Sequence, residues 1–203
     1  MDLSLHVLVD PFALSEESLR SGVQAIALGG ATVVQMRSKD RSTRELIDGG
    51  RMLKALCQKY GLAFIVNDRV DVALALGADG VHVGQDDMPV SMVRTLASQL
   101  TVGLSVSSLQ EVLAAEASPP DYFGMGPVFA TASKSDAGPA VGTSKLREWT
   151  RVAQAMAPVV AIGGISLENA GAVWQCGVNG IAVISAVWQA ADKQEACRRL
   201  REH

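Results

Sequence analysis

In VVQMRSK, residues 33–39, an amide, a guanidinium and an ammonium stand two apart: Gln35, Arg37 and Lys39. Side chains at that spacing project to one side for as long as the backbone stays extended. A buried strand seldom carries three such groups on one face unless an anion meets them. Arg37 can grip a phosphate with two parallel N–H donors, whereas Lys39 acts as a point charge. Lys39 and Arg41 taken alone also read as solvated loop cations; Gln35 with Arg37 fits that reading less well.

Acid follows. In FIVNDRVDV, residues 64–72, four apolar residues run into Asn67, Asp68 and Arg69, and Gln85, Asp86 and Asp87 succeed the next apolar run, GVHVG. Two carboxylates among amide and water oxygens suit a hard divalent ion, and magnesium typically takes one or two carboxylates plus phosphate oxygens of a substrate. The competing reading is structural: Asp68 caps a helix starting near Val70, and Asp86 or Asp87 caps one starting after Pro89. Spacing alone leaves both open, and leaves open whether Asp86 joins the metal set.

Near the end of the chain, AIGGIS (161–166) and VISA (183–186) combine a glycine pair with Ser185. Gly163 and Gly164 let the backbone approach an anion closely, and Ser185 can add a hydrogen bond. A Gly-Gly pair by itself marks any tight strand-to-helix turn. Two anion sites and a metal together imply two substrates, one a diphosphate that chelates the metal and one a monophosphate. Gly124 and Gly126, alternate residues of one strand, either leave room for a flat ring or serve close backbone packing.

The elements that must position these groups are eight short apolar, β-rich runs: 5–10, 31–37, 62–68, 80–84, 102–106, 122–129, 158–164 and 180–185. Between them, segments such as SEESLRSGVQAIALG and RELIDGGRMLKALCQKYG place apolar residues three to four apart and end on Gly, as amphipathic helices do. Strands separated by helices, without tight hairpin signals, pair in parallel. Eight such units in 203 residues predict a single-domain (β/α)8 TIM barrel over 1–203, whose strand C-termini open on the face where such folds build active sites. The phrases GADGVHVG (77–84) and CGVNGIAVIS (176–185) echo one another weakly, which we read as β-α-β grammar rather than a solenoid repeat. The segment ATASKSDAGPAVG, 130–142, lacks periodicity, and its Thr131, Ser133 and Lys134 suit a functional lid.

Bulk composition narrows the classes. A net charge of −3 and the lack of any Lys/Arg run argue against nucleic acid or an anionic membrane as partner. Cys57, Cys176 and Cys197 form no C-x-x-C pair, so neither a disulfide framework nor a thiolate zinc site is expected, and a cytoplasmic setting suits them. The N-terminus has no secretory pattern, and no run reaches the roughly 20 apolar residues of a membrane span. The sequence leaves oligomeric state open, a homo-oligomer included.

With these motifs in place, the chain resembles the thiamine phosphate synthase family. The similarity runs through VVQMRSK, NDRVDVALALGADGVHVGQDDMP, VGLSVSS, DYFGMGPVFATASKSD, PVVAIGGIS and GVNGIAVISA. The resemblance implies joining of a hydroxymethylpyrimidine diphosphate to a thiazole phosphate with release of diphosphate, magnesium being required. By motif position, Gln35, Arg37, Lys39 and Asn67 correspond to diphosphate-side contacts, and Asp68 and Asp87 to the magnesium carboxylates. Ser105 matches a residue beside the pyrimidine. Thr131 and Ser133 match thiazole-phosphate contacts, Lys134 a lysine that reaches the diphosphate, and Gly164, Ile184 and Ser185 the backbone cradle of the thiazole phosphate. Arg37, Ser105 and Lys134 are the catalytic candidates. The implied chemistry, diphosphate departure followed by capture of a pyrimidine carbocation, needs no histidine base; His6 and His82 lie inside strands and read as structural, and His203 is terminal.

Two departures stand out. The family's sixth loop usually reads P-T-x-T-K-K, where this chain has Ala130, Thr131, Ala132, Ser133, Lys134 and Ser135, so one lysine is lost. The usual R-E-K of the second strand appears as Arg37, Ser38 and Lys39. A related thiazole tautomerase branch shares the barrel, but places a histidine where this chain has Pro127 and degrades the acids that this chain keeps. A non-catalytic barrel that binds thiamine precursors, and a generic phosphosugar isomerase, are the remaining rivals.

Overall fold

A computed structural model describes residues 1–131 and 138–202. Eight parallel strands close into a barrel in chain order. They are β1 Leu5–Val9, β2 Val33–Met36, β3 Ala63–Asn67, β4 Gly80–Val83, β5 Thr101–Val106, β6 Tyr122–Met125, β7 Val159–Ile162 and β8 Gly180–Val183. The helices between and after them are α1 Glu16–Leu28, α2 Thr43–Tyr60, α3 Val70–Leu76, α4 Val90–Leu96, α5 Leu109–Ala114, α6 Gly142–Ala153, α7 Ala170–Trp174, α8 Ser185–Trp188 and α9 Lys193–Arg201. Closure is made by β1 against β8, with Leu5 paired to Ile181 and Val7 to Val183. The (β/α)8 barrel expected from the sequence is therefore the fold.

Side-chain alternation sorts each strand between two cores. One residue set, with Leu5, Val7, Val34, Phe64, Val81, Val102, Phe123, Val159 and Ile181, packs outward under the helices. The other set faces into the barrel, where Leu8, Val33, Ile65, Tyr122, Val160 and Ala182 form a smaller cluster. Helix starts follow the sequence signals: the Ser15 side chain accepts from Ser18 N at the start of α1, and Ser42 with Glu45 forms a reciprocal capping box on α2. Gly61 ends α2 with φ of 70°, a left-handed turn that a side chain would strain.

A four-fold device holds the N-terminal rim. The residue just before each even-numbered strand accepts a hydrogen bond from the first or second N–H of the strand before it. Thr32 Oγ1 takes Leu5 N (3.1 Å), Asp79 Oδ2 takes Phe64 N (2.7 Å), Asp121 Oδ2 takes Val102 N (2.7 Å) and Asn179 Oδ1 takes Val159 N (2.9 Å). Three of these oxygens also meet a helix side chain: Lys54 at 3.1 Å, Arg94 at 2.8 Å and Gln154 at 2.9 Å. The echo between GADGVHVG and CGVNGIAVIS is this device seen twice, at Asp79 and Asn179.

Every strand departs from its sequence run by at least one residue at an end, and two of these departures bear on the site. The run over 122–129 is regular only to Met125, because Pro127 brings no N–H to the ladder. Beyond it, Val128 N and Phe129 N still donate to Ile162 O and Gly163 O at 2.9 and 3.0 Å. β2 ends at Met36 rather than 37, although Arg37 N keeps a ladder bond to Val9 O (2.9 Å). All three cysteines are buried free thiols, and burial pushes Cys57 and Cys197 up to about 12. Among the described residues no helix is long and apolar enough to cross a membrane.

Candidate active site

The C-terminal ends of the strands enclose a cavity of about 550 Å³. Gln35, Arg37 and Lys39 line it from the end of β2 although the regular strand stops before Arg37, because the extended path continues through the ladder bond at Arg37. Asn67 and Asp68 line it after β3, Asp86 and Asp87 after β4, and Ser105 from β5. Thr131, Gly164, Ile184 and Ser185 complete the set from the far side of the chain. Of the site residues expected from the sequence, only Ser133 and Lys134 lie outside the described residues.

Neither acid caps a helix. Arg69 and Pro89 occupy the N-cap positions of α3 and α4, and no side-chain cap bond is made at either. Asp87 braces its own turn instead, one carboxylate oxygen accepting from Gly84 N at 2.7 Å. Asp68 adopts φ of 63°, a left-handed conformation that Asp tolerates better than most residues. Its N–H donates to His82 O (2.7 Å), and its carboxylate accepts a short hydrogen bond from the Asn67 amide. Among the described residues no three His, Cys, Asp or Glu side chains gather into a protein-only cage. Two carboxylates on neighbouring loops, in one cavity with Arg37 and Lys39, fit a hard cation whose remaining ligands come from substrate and water.

The two strand histidines, both read as structural, part company. His6 is sealed in the barrel at 1% exposure, and burial, with His82 nearby, lowers its pKa to about 3. His82 lines the cavity, with Nε2 2.8 Å from Ser105 Oγ and Nδ1 2.8 Å from the Tyr122 hydroxyl. Tyr122 carried no signal of a site role in the sequence, since a tyrosine in an apolar run reads as core. Gly124 proves to be a packing glycine: a Cβ there would sit 2.6 Å from His82 Cε1, so the room it leaves is filled by the imidazole. At Gly126 a Cβ would meet Ile162 O at 2.1 Å, a close approach of two backbones.

The β7 turn carries φ of 101° at Gly163 and 63° at Gly164, and a Cβ on Gly164 would press on Ala130 O at 2.6 Å. This packing fixes the turn beside Ile184, the residue before α8. Asn169 reinforces it by donating to Gly164 O (2.9 Å) while accepting from Ser166 N (2.8 Å). Three rim contributions were not anticipated. Gln85 Nε2 donates to Ser105 O (2.7 Å), and Glu111, whose Ser-x-x-Glu spacing from Ser108 signals only a helix start, accepts from Ser107 N (2.7 Å). Ser38, at the position where the resemblance leads one to expect glutamate, buries its hydroxyl without a partner among the described residues.

Comparison with known proteins places this cavity in context. Residues 5–187 match the family described as thiamine monophosphate synthase. The chain is 46% identical over 201 residues to a thiamine-phosphate synthase of Chloroflexus aurantiacus, covering 99% of this chain and 92% of that one. It is also 46% identical over 202 residues to a thiamine-phosphate synthase of Laribacter hongkongensis, covering 98% and 94%. Among solved structures, a thiamine phosphate pyrophosphorylase from Pyrococcus furiosus superposes with a TM-score of 0.86 at 43% identity, over 98% of this chain and 94% of that one. With a match that spans nearly its whole length, this chain belongs to the thiamine monophosphate synthase family.

Proposed function

We propose that the protein condenses 4-amino-2-methyl-5-hydroxymethylpyrimidine diphosphate with thiazole phosphate, giving thiamine phosphate and diphosphate. The observation that carries this reading is one enclosure containing both a cation-plus-acid group (Arg37, Lys39, Asp68, Asp87) and a separate backbone turn built from Gly163, Gly164 and the end of β8. A single-phosphate isomerase needs only the second.

Departure of diphosphate requires its developing charge to be neutralised in place, which preorganised charges do at little reorganisation cost. Arg37 and Lys39 supply that neutralisation from the β2 side. Asp68 and Asp87 would hold magnesium, which when bound adds positive charge against the leaving group. Lys134, outside the described residues, takes its place here from the family pattern alone. As the carbon–oxygen bond breaks, the electron-rich aminopyrimidine carries the positive charge on its methylene carbon, and the thiazole nitrogen donates its lone pair to that carbon. Thr131, Gly164, Ile184 and Ser185 hold the thiazole phosphate so that this nitrogen faces it. Leu8, Ile162 and Ala182 give the cavity an apolar part that suits flat rings and limits capture of the cation by water.

Incubation of the folded protein with both phosphorylated heterocycles and magnesium is expected to yield thiamine phosphate and diphosphate in equal amounts. Absence of product from well-folded protein rejects the reading.

A further inference from the structure

Resting on that functional reading, we propose that Tyr122 and His82 fix the polarity of the Ser105 hydroxyl, so that Ser105 offers a proton to the substrate and accepts none from it. Tyr122 is buried at 1% exposure, and its hydroxyl meets His82 Nδ1 at 2.8 Å. His6 packs edge-on against the Tyr122 ring at 5.3 Å, but its two nitrogens have no hydrogen-bond partner among the described residues, so it does not compete for the phenol proton. A phenol O–H closed inside a barrel needs an acceptor, because folded proteins leave few buried donors unpaired. Donation to Nδ1 makes that nitrogen an acceptor and puts the proton of the neutral imidazole on Nε2. Nε2–H then donates to Ser105 Oγ at 2.8 Å. With an oxygen lone pair engaged from behind, the Ser105 proton is left for the cavity.

The opposite arrangement has Nδ1–H donating to the phenol oxygen and Ser105 spending its proton on Nε2. It strands the Tyr122 proton in the barrel interior and turns Ser105 into an acceptor. The backbone is shaped around the ring positions that both arrangements share, so the buried Tyr122 proton decides between them. A Cβ at Gly103 would lie 2.2 Å from Tyr122 Cζ and 2.3 Å from His82 Nδ1, and one at Gly124 would lie 2.6 Å from His82 Cε1. The two glycines are thus notches that let the phenol and the imidazole meet. Tyr122 and His82 are positioning residues: they act through Ser105, and the substrate group that Ser105 recognises is a hydrogen-bond acceptor.

Two measurements test this. Long-range proton–nitrogen correlation spectra of ¹⁵N-histidine protein, with the His82 signals assigned by their loss in His82→Gln, are expected to show the Nε2–H tautomer. An Nδ1–H tautomer overturns the proposal, and this arm needs no activity, so it stands apart from any failure of the synthase reading. In steady-state kinetics, Tyr122→Phe is expected to lower kcat/KM about tenfold when Ser105 is present and by less than about twofold in a Ser105→Ala background, as coupled residues do. Equal losses in the two backgrounds would assign Tyr122 a purely structural role and overturn the proposal. A wild-type protein that forms no thiamine phosphate would reject the synthase reading while leaving the spectroscopic arm in force.

Discussion

The two rims of this barrel use polar side chains in opposite ways. At the N-terminal rim, Thr32, Asp79, Asp121 and Asn179 each close onto a strand N–H, and Lys54, Arg94 and Gln154 close onto three of those same oxygens. At the C-terminal rim, Gln35, Arg37, Lys39, Asp68, Asp87 and Ser105 gather around a cavity from four different strands. The first arrangement repeats because each odd-numbered strand poses the same problem of an N–H at this rim that needs an acceptor. The second does not repeat, and under the function proposed above each residue answers a different atom of a ligand pair. Regular polar contacts report stability here, and irregular convergence reports chemistry.

Substitutions sharpen this contrast. The largest effect is expected at the mouth. Asp87→Asn keeps an oxygen for Gly84 N–H but removes the charge, so turnover should fall by roughly 10²–10³-fold, as when one preorganised electrostatic contact is lost. The melting temperature should barely move. A melting shift that accounts for the lost turnover would assign Asp87 to the fold instead. The reverse pattern is expected at the other rim. Asp79→Ala leaves Phe64 N–H and Lys54 without their acceptor, which should cost about 1–3 kcal/mol in denaturant unfolding. Its kcat should stay within about twofold of wild type, and a large loss of turnover would break the division between the rims.

A smaller effect lies between the rims, at His6. Its folded pKa of about 3 lies below its ordinary 6.5, so the unfolded chain binds the extra proton first and stability falls as pH drops through 6.5. Between pH 7 and 5.5 this group should remove about 1 kcal/mol, given 1.36 kcal/mol per unit of pKa shift. His6→Leu should flatten that slope in urea titrations, and an unchanged slope would show that the imidazole is not held neutral.

Much of this was legible in the sequence, for physical reasons. Parallel strands buried on both faces read as unbroken apolar runs, so all eight were visible. Polar residues at their C-terminal ends then marked the mouth. Position at or just beyond the strand ends was enough to place Gln35, Arg37, Asp68 and Asp87 at the cavity. What stayed hidden depends on contacts across the barrel. Ser105 and Tyr122 lie 23 and 40 residues from His82 along the chain, and the three meet only because Gly103 and Gly124 lack side chains. In the sequence those glycines look like any others in a strand. Half of the N-terminal device was hidden too, because Thr32 and Asp121 perform it without the following glycine that made Asp79 and Asn179 resemble each other. The brace from Asp87 to Gly84 escaped notice because a three-residue turn leaves no periodic trace.

Diphosphate binding as a function of magnesium concentration, followed calorimetrically in wild type and in the Asp68→Asn, Asp87→Asn double variant, reaches the centre of the account. Magnesium should tighten diphosphate binding to wild type, and the double variant should lose that gain while binding thiazole phosphate nearly as before. Affinity for diphosphate that ignores magnesium, or a gain that survives in the double variant, would contradict it.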